Sequence, residues 1–89
     1  MREIARTSQF KKDFKKLAKS EKHTPGELFT VIKMLAGDQP LPEKYQDHPL
    51  TGNWKDHREC HIRPDWLLIY KSEPDRLILV RSGSHSELF

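Results

Sequence analysis

Residues 61–70 read HIRPDWLLIY, in which an imidazole, His61, and a carboxylate, Asp65, stand on either side of an Arg-Pro turn signal. Pro64 cannot donate to a sheet ladder, while Trp66 to Tyr70 has the length and β-prone composition of a buried strand. The two groups therefore flank one tight hairpin. The chain has five histidines, His23, His48, His57, His61 and His85, and four of them fall in its second half. An imidazole exchanges protons near neutrality because its unperturbed pKa is about 6.5.

These residue types suit acid–base cleavage of a phosphodiester. Cutting RNA without a metal needs a base for the 2′-OH proton, an acid for the departing 5′-oxygen, and donors for the charge of the phosphorane. His61 ends one strand, Asp65 opens the next, His85 follows the last, and His48 lies in a long loop able to fold over the same end of the sheet. Arg63, Arg81 and Lys55 are candidate phosphate donors, and Trp66 and Phe89 are candidate platforms for an unpaired base.

Other chemistries fit less well. The pair His57 and His61 would share one face of a helix, but on a strand the four-residue spacing spans about 13 Å, too far for both rings to hold one ion. No metal or cofactor is expected on that ground. Cys60 alternates onto the core side of its strand, where a thiol is an inert small hydrophobe rather than a nucleophile. No glycine-rich phosphate loop follows a strand and opens a helix.

The elements that must position these groups are legible in the hydrophobic period. Arg2 to Arg6 is a weak first strand. Phe10, Phe14, Leu17 and Ala18 recur at helical spacing over residues 9–20, capped by Thr7 or Ser8. Thr24, Pro25 and Glu27 form a capping box with proline at N1, followed by the stripe Leu28, Val31, Ile32 and Leu35, and Gly37 is expected to end this second helix as its C′ residue. Residues 38–50, DQPLPEKYQDHPL, read as a loop. Beyond it the period becomes two, giving strands at 57–62, 66–71 and 76–82, and Ser84 with Glu87 starts a final helical turn. The fold class is α+β in a single domain spanning residues 1–89: a short N-terminal strand, a two-helix hairpin, then a three-stranded antiparallel meander. The sheet is expected to have four strands with the helices on one face.

Composition is consistent with one small, polar-surfaced globule that removes about 65% of its unfolded surface from water. The 89 residues carry a formal net charge of +3 and the mean hydropathy is −0.82. Much of the positive charge lies on the first helix, where Lys11, Lys12, Lys15, Lys16 and Lys19 are answered only by Asp13. Such a face suits a polyanion, or is simply solvated. The lone cysteine and the absence of any membrane-length apolar run point to a soluble protein of the reducing cytoplasm, not exported and with no membrane partner.

The stretches YQDHPLTGNWKDHRECHIRPDWLLIYK, residues 45–71, and LILVRSGSHSELF, residues 77–89, resemble bacterial toxins of the RelE/ParE superfamily, specifically the YafQ type. The resemblance implies a RelE-like fold and the toxin role in a type II toxin–antitoxin system. Such toxins are mRNA interferases: they enter the ribosomal A site and cut mRNA by metal-independent attack of the 2′-OH, which halts translation. The functional residues of the YafQ type correspond to His48, His61, Asp65, Trp66, His85 and Phe89. On this basis Asp65 is expected to be the general base, His85 the general acid, and His61 and His48 the groups that position the 2′-OH and steady the phosphorane. His61 or His48 could replace Asp65 as base. The lysine helix would face ribosomal RNA. The implied partners are mRNA, the ribosome and a DinJ-like antitoxin, through which alone the chain would meet operator DNA. Two rival readings are a ParE-like inhibitor of DNA gyrase, which has no need of the histidine set, and a non-catalytic RNA- or protein-binding module.

Overall fold

In the computed structural model, which describes residues 2–21 and 23–89, the chain runs β1 (Glu3–Arg6), α1 (Ser8–Ala18), α2 (Pro25–Ala36), β2 (His48–Pro49), β3 (Arg58–Arg63), β4 (Trp66–Ser72), β5 (Arg76–Gly83) and α3 (His85–Leu88). Thr7 fixes the start of α1 by accepting the Phe10 N–H at 3.0 Å and donating to the Val80 carbonyl at 2.7 Å. The helix is thereby stapled to β5 at its first turn. Phe10 and Leu17 turn inward, while Lys11, Lys12, Lys15, Lys16 and Lys19 remain exposed on the opposite side.

Proline at N1 begins α2, and Leu28, Val31, Ile32, Leu35 and Ala36 bury its inner face. Two expectations change here. Thr24 makes no side-chain cap bond, so the capping box is absent. Gly37 keeps a negative φ of −82°, and the left-handed residue is Asp38 at φ 56°, an acid being among the few side chains that tolerate that conformation.

The sheet has five strands in the order β1-β5-β4-β3-β2, not the four expected. β1 lies parallel to β5, with Glu3 opposite Arg76 and Arg6 opposite Leu79, and every other pairing is antiparallel. The additional strand is β2, inside the segment read as loop. Its two residues are too few to show a period, and Pro49 is tolerated because the strand is an edge.

The sheet has apolar residues on both faces. Cys60, Ile62, Trp66, Leu68, Tyr70, Leu77 and Leu79 pack against the two long helices, whereas Leu67 and Ile69 meet Leu88 of α3. Leu50, Trp54 and Val80 complete this smaller cluster. It joins the segment after β2 to the segment after β5, and both carry histidines. Among the described residues no helix is long and apolar enough to cross a membrane.

Candidate active site

Strand alternation places Glu59 and His61 on the face of β3 that points away from the long helices, and edge pairing sets His48 opposite Glu59. α3 brings in His85. It has only four residues, but Ser84 and Glu87 form a full capping box: the Glu87 N–H donates to Ser84 Oγ, and the Ser84 N–H to Glu87 Oε1 at 3.0 Å. Glu87 also pairs with Lys16 of α1. Leu88 anchors the turn from below, which fixes where His85 and Phe89 emerge.

The result is a row of rings. The His48 and His61 centroids are 6.1 Å apart, those of His61 and His85 5.6 Å, and those of His85 and Phe89 6.5 Å. Trp54 meets Phe89 edge-on at 6.1 Å and supports it from the satellite cluster. Asp65, in the β3–β4 turn, receives both the His85 backbone N–H and Nδ1 on Oδ1, each at 3.2 Å. Those two bonds hold the Asp65 carboxyl below its ordinary value, the backbone N–H contributing most. His48 donates Nδ1–H to the Gln46 carbonyl at 2.7 Å and presents Nε2 to Glu59 Oε2 at 3.3 Å. His61 Nδ1 is buried with no hydrogen-bond partner among the described residues. The four groups expected to carry acid–base chemistry thus converge on one face.

Three residues that the sequence reading passed over help to build this site. Glu59 is only 5% exposed and places a carboxylate beneath the imidazoles; its signal was its position two residues before His61 on an alternating strand. Asp47 anchors the approach to His48 by accepting Tyr70 Oη–H at 2.6 Å and Arg58 Nε–H at 3.3 Å. Trp54 lies within the DHPLTGNWK stretch but carried no assigned role.

Several expected substrate contacts are committed elsewhere. Trp66 is 1% exposed, donates Nε1–H to Ser82 Oγ at 3.1 Å, and meets the His23 ring edge-on at 4.7 Å, so its face is closed to a base. Arg81 is bound through two nitrogens to Asp13, both at 3.1 Å, and Arg63 through two nitrogens to Glu27 at 2.8 and 2.9 Å. Lys16 is engaged by Glu87. Lys55, Lys11, Lys12, Lys15 and Lys19 stay exposed, and Phe89 is 58% exposed. Cys60 is fully buried and its thiol is pushed up to about 12, chiefly by that burial, which rules out a thiolate near neutrality.

A metal ion has a better candidate site than the rejected histidine pair. His57 turns to the Trp54 ring and the Lys55 carbonyl, but Glu59, His61 and His85 each offer a ligand atom, all within 4.8 Å of one another. Two imidazoles and a carboxylate suit a borderline transition metal such as zinc or copper, provided the ligands draw in by about an ångström.

The α3 tether carries a pH prediction. The Lys16 ammonium, followed by the Ser84 N–H, lowers the Glu87 carboxyl from 4.5 to about 2. A depressed folded-state pKa adds stability that is complete above the unfolded value and is lost as pH falls through the folded one. Unfolding measured from pH 5 to pH 2 should therefore weaken more steeply for the wild type than for Glu87→Gln. Parallel curves would show that the pairing contributes nothing.

Residues 2–89 match the family described as bacterial toxin of type II toxin-antitoxin system, YafQ. The Escherichia coli K12 protein named mRNA interferase toxin YafQ is 39% identical over 88 residues, covering 99% of this chain and 96% of its own. Among solved structures, a copper-bound mutant toxin from Helicobacter pylori superposes with a TM-score of 0.94 at 46% identity, covering 100% of both chains. The Escherichia coli DinJ-YafQ complex superposes with a TM-score of 0.92 at 39% identity, covering 100% of this chain and 99% of that one.

Proposed function

Because the chain belongs to the YafQ family of bacterial toxins of type II toxin–antitoxin systems, we propose that it is an mRNA interferase that cuts messenger RNA in the ribosomal A site. The observation that carries the mechanism is the convergence of His48, His61, His85 and Asp65 on one open face of the sheet.

Asp65 takes the proton from the 2′-OH, and O2′ attacks the adjacent phosphorus. His61 and His48 position the 2′-OH and steady the phosphorane, with Lys55 nearby in sequence as a further cation. The bond from phosphorus to O5′ then breaks and His85 protonates the leaving oxygen, which yields a 2′,3′-cyclic phosphate and a 5′-OH. After turnover Asp65 holds one proton too many and His85 one too few. Exchange with solvent removes the one and supplies the other, while the 3.2 Å contact keeps the His85 ring oriented toward Asp65. Phe89, propped by Trp54, supplies the stacking surface for an exposed base.

The Helicobacter pylori mutant toxin is copper-bound, and Glu59, His61 and His85 are the side chains here that would hold such an ion. A bound ion would offer a Lewis acid to a phosphate oxygen. The proton transfers described use the chain's own groups.

The exposed lysines of α1 are assigned to ribosomal RNA, a contact that should weaken steeply with salt. The partner that silences the toxin is a DinJ-like antitoxin, as in the Escherichia coli complex, and operator DNA is reached only through that complex. Both the ribosome and the messenger place its action in the cytoplasm.

Purified protein incubated with a defined mRNA, with and without programmed ribosomes and in EDTA, tests this reading. Ribosome-dependent cutting that leaves a 5′-OH supports it, and no cutting by a folded protein overturns it. The pH profile identifies the base. Asp65 is held below its ordinary value, so it stays ionised throughout pH 5–8 and the single-turnover rate should not fall between pH 6.5 and 5. A tenfold fall per unit below about 6.5 would transfer the base role to an imidazole, His61 or His48.

A further inference from the structure

A cleft on the surface adjoins the ring row but is not used by the mechanism above. It has a volume of about 490 Å³ and lies between α2, the turn at Glu43–Tyr45 and the end of β3, with His61 in its wall. It opens here because β2 covers only Arg58 and Glu59, which leaves the later part of β3 as an uncovered edge. A volume within the roughly 300–1,000 Å³ range of small-molecule sites has room for a nucleotide.

The lining has the chemistry of a base pocket. Arg63 is held flat by its two-pronged bond to Glu27, and its side chain remains 51% exposed. That pairing neutralises its charge toward phosphate and leaves the guanidinium plane available for stacking. Tyr45 offers a half-buried ring on which Lys44 Nζ sits 5.1 Å from the centroid. Gln46 is exposed, and its amide has two donors and an acceptor for a base edge.

Gln46 also connects the cleft to catalysis. Its backbone is left-handed, at φ 49°, and its carbonyl receives the His48 Nδ1–H. The residue that borders the cleft is thus the one that orients a catalytic imidazole, while His61 borders the cleft directly.

We infer that this cleft is a nucleobase subsite for the nucleotide next to the scissile phosphodiester, with Arg63 and Tyr45 stacking on the base and Gln46 reading its edge. The inference rests on the ribonuclease reading of the adjacent row. It makes Arg63 a specificity residue in place of the phosphate donor expected from sequence.

Two variants test it without risk to the fold. Gln46→Asn retracts the amide but tolerates the left-handed backbone. Arg63→Lys keeps the charge opposite Glu27 but removes the plane. Cleavage of messages randomised around the cut site, on programmed ribosomes and read by sequencing, should show the base preference at one flanking position flattened in both variants. Arg63→Lys should raise KM about 5- to 150-fold if stacking is lost, and by more than it lowers kcat. An unchanged preference and KM in both variants, beside an active wild type, would overturn the subsite and leave the nuclease standing.

The companion measurement does not depend on turnover. Amide resonances of residues 44–46 and 63 are followed while a short RNA, made uncleavable by a single 2′-deoxy substitution, is added to the wild-type protein. Shifts that vanish when the flanking nucleotide is abasic support the subsite even if the wild type cuts nothing under assay. Shifts that persist with the abasic oligonucleotide, or none at these residues, overturn it.

Discussion

His85→Ala should lower the single-turnover rate of mRNA cleavage by about two to four orders of magnitude, the usual worth of a positioned general acid. The loss should fall on kcat if His85 acts as the proposed acid on the leaving oxygen. Its removal also takes the ring bond from the Asp65 carboxylate and leaves the backbone N–H at position 85 in place. Asp65→Asn should therefore be nearly as damaging as His85→Ala, and the double variant little worse than either alone, since base and acid act as one unit. The fold should not suffer. His85 is exposed on α3, and the capping box and Leu88 that seat the helix stay in place. Thermal unfolding of the variant should match the wild type within a few degrees. A His85→Ala protein that cuts at the wild-type rate would remove the acid from the mechanism.

The second large effect is on stability. Trp66→Ala should cost about 3–5 kcal/mol, as removal of a buried aromatic does. Against a total of about 5–15 kcal/mol for a domain of this kind, that is a severe loss, and the melting temperature should drop by roughly 15–30 °C. The ring is sealed beneath α1 and α2, and its Nε1–H reaches Ser82 Oγ, which in turn donates to the Leu67 carbonyl at 2.8 Å. Trp66→Phe, which keeps much of the volume and loses that hydrogen bond, should cost a smaller share. A Trp66→Ala protein that melts like the wild type yet fails to bind RNA would restore the stacking role expected from sequence.

Trp66 shows where sequence reading stops. Its place next to Asp65, in a stretch that resembles a toxin motif, suggested contact with substrate. Its burial depends on partners at Ser82 and His23, and no local pattern encodes those. The same applies to the arginines. Asp13 stands 68 residues from Arg81, and Glu27 stands 36 from Arg63. A single cation in a sequence reads as available until the fold brings an acid to it.

What was legible followed from period and capping. The inward stripe of α2, the alternation of β3, the cap at Thr7 and the box at Ser84 and Glu87 each rest on neighbours within four residues. Alternation also set His61 on the face opposite Cys60, the basis for expecting an inert thiol. Glu59 obeyed the same rule and was overlooked because an acid on a polar strand face looks like ordinary solvated surface. Only the approach of His48 across the edge turns it into a buried carboxylate.

The parallel pairing of β1 with β5 bears on how this protein comes into being. Glu3 must find Arg76, and the contacts of Asp13 with Arg81 and of Lys16 with Glu87 span similar stretches of chain. Such distant contacts form late, because most of the loop entropy must be surrendered before any of them forms. His85 follows β5, so a growing polypeptide lacks both the sheet partner of its first strand and its acid until nearly all of these residues have been made. On the proposed function, the row of catalytic groups thus stays incomplete throughout most of the chain's own synthesis, an interval in which an antitoxin could already be waiting.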